Sequence, residues 1–329
     1  MHMLTKKTST EIPLEAVVVR ANEGSPVSLG SEGGGSALVK VSPVSHQFSH
    51  FAVVGIDLPK GAYLRPHAYE LNERMVLCFG GRGHVIVDGQ KHPVSKGTFM
   101  FWGRGVGVEV VQDGDEPLRL SVISFPPAPD SRFDLFPLGG GTPADGGASV
   151  GVRAGNNLVE RDNGHFIIVQ DDEGEEYWQA APSLGYVSIM IAAPVLPVTY
   201  FCAASQLLEP GANVRHHGHV ASEEIVIVTH GKGIVVLGDE QFPIAEGDVI
   251  VLPPTLMHHF INNGTEPLKY GGVFLPPSVE GALRETGVRK LPGEPRPASI
   301  PRNPTTEKLL VDKYGFIIPG ISDQHTVGV

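Results

Sequence analysis

The sequence predicts an all-β protein made of two tandem β-barrels and a proline-rich C-terminal extension. Three observations lead there. Glycine (41) and proline (28) are abundant among the 329 residues, which suits short strands joined by tight turns. A shift of 150 residues superimposes GRGHVIVDGQKHPVSKG (Gly81–Gly97) on GKGIVVLGDEQFPIAEG (Gly231–Gly247). The same shift lays Gly61 on Gly211, Arg65 on Arg215 and His67 on His217, and brings FPP (Phe125–Pro127) near FLPP (Phe274–Pro277). Each copy alternates short Val/Ile/Leu-rich runs with Gly, Pro and Asp turn signals, as a Greek-key or jelly-roll barrel does.

Bulk properties narrow the function classes. The chain is long enough for two domains, each with its own core. A net charge of −11 without a basic run argues against nucleic acid as a partner. No apolar stretch is long enough to span a membrane. The first residues, MHMLTKKTSTEIPLEA, lack the apolar centre of a signal peptide, so a cytoplasmic protein is expected. Two cysteines, Cys78 and Cys202, lie in apolar runs and are expected to be buried thiols, not a disulfide or a metal site.

Taken in order, residues 1–128 are expected to form the first barrel and 129–164, with PLGGGTPADGGASVG, a linker or long surface loop. Residues 165–278 form the second barrel. Its first stretch, His165–Trp178, reads as a hairpin turning at Asp-Asp-Glu-Gly. In the extension, 279–329, VEGALRETGV reads as a short helix and LPGEPRPASIPRNP as an extended segment. TTEKLLVDKYGFIIPG regains an apolar pattern that packs on a barrel or on a partner subunit.

The candidate site lies in the second copy, between Gly211 and Asn262. His217 and His219 are one residue apart, so on an extended strand both side chains share a face. Glu224 opens the apolar run Ile225–Val228, and His258 follows a second run, Val249–Leu252, and two prolines. Three imidazoles and one carboxylate inside a small barrel suit a first-row transition metal. Strand alternation puts Asn213 and Arg215 on the ligand side, with Val226, Val228 and Phe260 as apolar wall and His216 and His259 facing outward. A turn one residue tighter would exchange Glu223 for Glu224. Arg215 either holds an anionic substrate oxygen or pairs with a carboxylate at the rim. Asn262 caps the turn that follows it or hydrogen-bonds near the site.

The spacing Gly211-x5-His217-x-His219-x4-Glu224-x6-Gly231, followed by Gly247-x5-Pro253-x4-His258-x3-Asn262, resembles the two motifs of the metal-binding cupins. One departure is Thr255, where the second motif has glycine. Both halves are cupin-like over roughly residues 46–128 and 186–278, so the chain resembles a bicupin. In the first copy the four ligand positions read His67, Tyr69, Arg74 and Val108, with Glu70 and Glu73 off the motif's register, and that barrel is expected to be structural.

The resemblance implies one divalent transition metal per chain, held by His217, His219, Glu224 and His258. Fe(II) is favoured, with Mn(II), Ni(II) or Zn(II) as alternatives. It also implies a small-molecule substrate and a homodimer. Three functions follow from it. One is an Fe(II) dioxygenase using O2 on an enol, diketone or aromatic substrate, with Glu224 as base and Arg215 as substrate anchor, similar to quercetinases and acireductone dioxygenases. Gentisate dioxygenases share the length but use no glutamate. The second is a redox-neutral isomerase, decarboxylase, lyase or cyclase, as in the bicupin oxalate decarboxylases. The third is a non-enzymatic binding protein like the seed-storage bicupins.

Overall fold

The computed structural model describes residues 15–127 and 157–322, apart from 30, 47, 70, 71, 162, 163 and 195–197, and gives only the backbone of 157–164. The expected linker therefore lies mostly outside the described residues. Its last part, Asn157–Arg161, is a strand.

The 150-residue repeat is a repeat of structure. Strands Ala52–Leu58, Glu73–Gly80, Arg82–Val87 and Leu118–Phe125 recur as Cys202–Leu208, Glu223–His230, Lys232–Leu237 and Leu268–Leu275. Among the described residues each copy has an eight-stranded sheet and a smaller facing sheet, of five strands in the first barrel and three in the second. A buried apolar cluster fills each barrel. Val76, Cys78, Met100 and Val122 belong to the first, and Val226, Val228, Ile250 and Phe260 to the second.

The alternate residues of the large sheets are buried as well. Met75, Leu77, Phe99 and Ile123 pack with Ile225, Ile227, Val249 and Val273 in one cluster shared between the barrels. Burial on both faces explains why MVLCF and IVIV read as continuous apolar runs without alternation. Cys78 and Cys202 are free and buried, as expected.

Two features depart from the sequence reading. The hairpin expected over 165–178 does not form. Gly164–Val169 pairs with Phe99–Trp102 of the first barrel, whereas Glu175–Trp178 pairs with Gly185–Ile191 of the second. Val17–Val19, ahead of the first barrel, pairs with Val249–Leu252 of the second. Each barrel thus lends a strand to the other's sheet edge, where the ladder's unpaired N–H and C=O groups find partners.

The extension folds onto the second barrel. Helix α1 (Val279–Thr286) forms where expected, and helix α2 (Pro304–Tyr314) follows the proline-rich stretch. Asn303 caps α2, accepting from the Thr305 amide at 2.8 Å, Pro304 occupies its first turn, and Gly315 ends it in the left-handed conformation. Phe316–Ile317 then pairs with Gly218–His219. No helix among the described residues is long and apolar enough to cross a membrane.

Candidate metal centre

Backbone pairing sets the site. His217 and His258 exchange both amide hydrogen bonds, at 3.1 and 2.8 Å, which brings their ring centroids to 4.6 Å. His219 follows on a two-residue strand, its ring 5.1 Å from His217 and 5.8 Å from His258. One nitrogen from each ring lies within 4.8 Å of the others. Glu224 enters from the facing sheet, with Oε2 3.2 Å from His258 Nε2 and 3.8 Å from His219 Nε2. The ambiguity at the glutamates is thereby settled. Glu224 points into the second barrel, and Glu223 lines a separate cavity between the barrels with Glu73, Arg104 and Tyr200.

Backbone carbonyls orient two of the rings. His217 Nδ1 donates to Arg215 O at 2.8 Å and His258 Nδ1 to Leu256 O at 2.9 Å, so each turns its Nε2 inward. Burial, reinforced by the neighbouring rings, holds His217 well below the usual imidazole range. Burial likewise brings His219 down to about 4. His217 and His219 are therefore neutral, the state in which imidazole donates a lone pair.

The centre's inward polar atoms have no partners. Both nitrogens of His219, His258 Nε2 and Glu224 Oε2 are buried without a hydrogen-bond partner, and Glu224 Oε2 lies 3.2 Å from His258 Nε2. Such a set is unfavourable by itself and is satisfied by a cation. The donor set of three nitrogens, one carboxylate oxygen and no thiolate fits a divalent first-row metal.

The ring of donors opens on a cavity of about 220 Å³. Phe260, Phe274, Tyr270, Leu310, Ile300 and Phe316 supply much of its wall. Phe316 stacks on His217 at 6.0 Å and meets His219 edge-on at 4.8 Å, so the extension closes the barrel over the centre.

Arg215 lines this cavity, and its guanidinium pairs with Glu307 of α2. Arg302 stands 3.6 Å from the other Glu307 oxygen and also donates to Ala181 O. Both readings of Arg215 thus meet in one residue, since it is ion-paired and faces the cavity. Asn213 does not line the cavity, whereas Val214 does. The alternation expected there fails because residues 209–216 are irregular and form no regular strand ladder, with an isolated bridge at Asn213. His216 and His259 pack against each other away from the centre, at 5.1 Å. Asn262 is fully buried, donates to Leu208 O and Glu266 O, and accepts from the Gly264 amide, so it caps the turn.

Sequence reasoning missed Glu307, Arg302, Phe316, Tyr270 and Gln206. Tyr270 is fully buried and donates to Gln206 Oε1 at 2.9 Å, and burial next to Glu224 holds its phenol well above the usual range. Strand parity from Gly272 and Phe274 identifies Tyr270 as inward-facing. The three extension residues carry no such signal.

In the first barrel, His67, Tyr69, Arg74 and Val108 occupy the matching positions. Among the described residues, the one group of three or more His, Cys, Asp or Glu side chains within metal-binding distance is His217, His219 and His258. Glu70 lies outside the described residues, and Glu73 turns away into the cavity between the barrels.

Comparison with known proteins agrees with this architecture. The family described as Cupin domain matches residues 204–275. An uncharacterized protein of Methanocaldococcus jannaschii is 35% identical over 74 residues, 22% of this chain, and the chain spans 59% of that relative's length. Among solved structures, the oxalate decarboxylase of Lactobacillus farciminis, crystallised as a formate complex, superimposes with a TM-score of 0.58 at 19% identity, covering 82% of this chain and 88% of its own. The oxalate decarboxylase of Bacillus subtilis, which has Mn(II) centres, gives 0.56 at 17% identity, covering 82% and 78%. Protein Ylba of E. coli gives 0.57 at 12% identity, covering 81% and 94%. At such identities the structural matches establish the fold alone. The Cupin domain match thus falls on the second barrel, and the solved structures share the fold of the two barrels together.

Proposed function

We propose that this bicupin is a metal-dependent enzyme with one active centre, in the second barrel, acting on a small organic acid without net oxidation. His217, His219, His258 and Glu224 would hold a divalent metal, Mn(II) or Fe(II). The observation carrying the proposal is the pairing of that unpartnered donor set with Arg215, Glu307 and Arg302 in one cavity. Two guanidiniums share a single carboxylate, so the cavity wall has a surplus positive charge opposite the metal ligands. A substrate carboxylate completes that cluster through charge-assisted hydrogen bonds. The cavity is smaller than the roughly 300–1,000 Å³ typical of drug-sized ligands, which favours a substrate of few atoms.

When bound, the metal supplies a Lewis acid that polarises a substrate oxygen. The chain's own groups do the rest. Arg215 and Arg302 orient the acid. Glu224, the one carboxylate among these donors, would accept a proton only with its Oε2 free of the metal. Tyr270 keeps its proton and fixes Gln206 in the wall. Phe316 and α2 exclude water from the centre. Manganese-containing oxalate decarboxylases share the fold, which supports decarboxylase or related lyase chemistry.

The dioxygenase reading stands second, supported by the aromatic part of the wall, Phe260, Phe274 and Phe316. Metal analysis of protein purified without a tag, followed by parallel assays of CO2 release and O2 uptake on a panel of small carboxylic acids, separates the two. About one metal per chain with turnover under anaerobic conditions supports the proposal. Turnover that requires O2 supports the dioxygenase. Absence of a stoichiometric metal overturns both.

A further inference from the structure

The first barrel repeats the geometry of the metal centre with different chemistry. Arg74 lies across from Trp102 and Ser124, as Glu224 lies across from Leu252 and Phe274. His67 pairs with Val108 as His217 pairs with His258. The side chains close on one another. The Arg74 guanidinium sits 3.1 Å from the centroid of the Tyr69 ring, and His67 meets Tyr69 and Trp102 edge-on at 5.3 and 6.1 Å. His67, Arg74 and Trp102 are each only 3% exposed. His67 Nε2, the Tyr69 hydroxyl, Arg74 Nε and Trp102 Nε1 are all buried without a hydrogen-bond partner.

This set is the chemical inverse of the second barrel's. The guanidinium and indole can only donate, and the phenol donates readily. His67 Nδ1 donates to Arg65 O at 2.7 Å, so the Nε2 of the neutral ring is an acceptor, beside the Tyr69 and Ser124 hydroxyls that can act either way. Burial lowers Arg74 to about 10 and His67 to about 4, and raises Tyr69 to about 12, which leaves the guanidinium as the cluster's one charge at neutral pH. No ion pair joins Arg74 to a carboxylate among the described residues. A buried charge with unfilled donors calls for a counter-charge that these residues do not supply.

We infer that the interior of the first barrel is a binding site for a small carboxylate-type anion, held by Arg74, Tyr69 and Trp102, with His67 Nε2 accepting from a hydroxyl on the same ligand. Glycolate has that combination of groups, and acetate lacks the hydroxyl. A cation is disfavoured there, because the guanidinium stands where a metal site needs its carboxylate.

The two tryptophans of the chain provide the test. Trp178 lines the second barrel's cavity, so Trp178→Phe leaves Trp102 as the sole indole reporter. Sodium glycolate and sodium acetate are titrated into that holoprotein at constant ionic strength, following Trp102 emission. A saturable response is expected for both anions, tighter for glycolate. It is expected to vanish in Arg74→Met and to persist in Arg215→Met, which disables the anchor in the other barrel. Arg74→Lys, which keeps the charge and loses the planar fork, is expected to weaken binding about tenfold. Arg74→Met removes a buried charge that no carboxylate among the described residues pairs, so its melting temperature without anion should not fall below the parent's. No saturable response, or one that survives Arg74→Met, would overturn the site. Equal affinity for the two anions would overturn the role given to His67.

Discussion

Glu224→Gln should move stability in opposite directions with and without metal. In the metal-free protein Glu224 Oε2 and His258 Nε2 face each other at 3.2 Å, both buried and without a hydrogen-bond partner. An amide N–H at that position donates to His258 Nε2 and removes a buried charge. Leaving a buried polar group unsatisfied costs roughly 1–3 kcal/mol, so the substitution should stabilise the apo form by about 2 kcal/mol. For a chain of this size that is a rise of roughly 3–5 °C in melting temperature. In the metal-loaded protein the sign reverses, because a neutral amide replaces an anionic ligand. Residues merely supporting metal ligands are worth roughly 10- to 100-fold in affinity, and a ligand should be worth at least as much. A 100-fold loss removes about 2.7 kcal/mol of metal-linked stability at fixed, saturating metal. Calorimetric melting of wild type and Glu224→Gln, each with chelator and with excess Mn(II), reads both effects. If the variant melts lower than wild type in chelator, the Glu224 carboxylate is already satisfied in the metal-free protein, and the description of an unpartnered centre fails. If the metal-dependent gain is unchanged, Glu224 is not a ligand.

Three further outcomes are expected. His258→Ala should reduce bound metal from near one per chain to background by elemental analysis, whereas His67→Ala should leave it unchanged; the reverse result would relocate the centre to the first barrel. Thr255 has φ +67°, where its counterpart Gly105 has φ +70°, so Thr255→Gly should relieve backbone strain and raise stability by about 1 kcal/mol in chemical denaturation; a loss would mean that the threonine side chain contributes more than the strain costs. His67 is lowered from 6.5 to about 4 by burial, so between those values the unfolded chain binds the extra proton and folding weakens as pH falls. About 3 kcal/mol should be lost from pH 7 to below 4 through this residue, and His67→Phe should flatten that part of the profile; an unchanged slope would show that the ring is not buried neutral.

Much of this architecture is legible because the fold writes a period into the chain. The 150-residue shift holds from Ala52 to Phe125 against Cys202 to Leu275 because both copies repeat the same strand lengths and tight turns. The donor set is legible for a related reason. His217, His219 and Glu224 lie close to one turn, and parity along a paired strand decides which side chains enter the barrel. The same argument failed over Asn213 and Val214, where the backbone leaves the ladder. It also said nothing of the exchanged strands. Val17–Val19 and Gly164–Val169 are apolar on both faces, and such a run does not specify which sheet edge it will join. Least legible was the closure of the cavity. Glu307 reaches Arg215 across 92 residues, and neither side chain's neighbours in sequence hint at the other.

One position concentrates the difference between the barrels. Glu224 and Arg74 occupy equivalent places on equivalent strands, each flanked by inward-facing apolar residues of the same sheet. Around Glu224 the inward polar groups are chiefly imidazoles, and around Arg74 they are an indole, hydroxyls and one imidazole. A duplicated barrel can therefore change the sign of its preferred ligand only if the surrounding groups change with the central charge. A lone Glu224→Arg exchange would set a guanidinium among three imidazoles whose inward nitrogens carry no charge to balance it. A lone Arg74→Glu exchange would bury a carboxylate beside a single imidazole, with too few ligands to recruit a metal. Neither swap alone should transfer metal binding from one barrel to the other. Recovery of a stoichiometric metal in Arg74→Glu alone would show that the central charge, and not the whole donor set, governs selection.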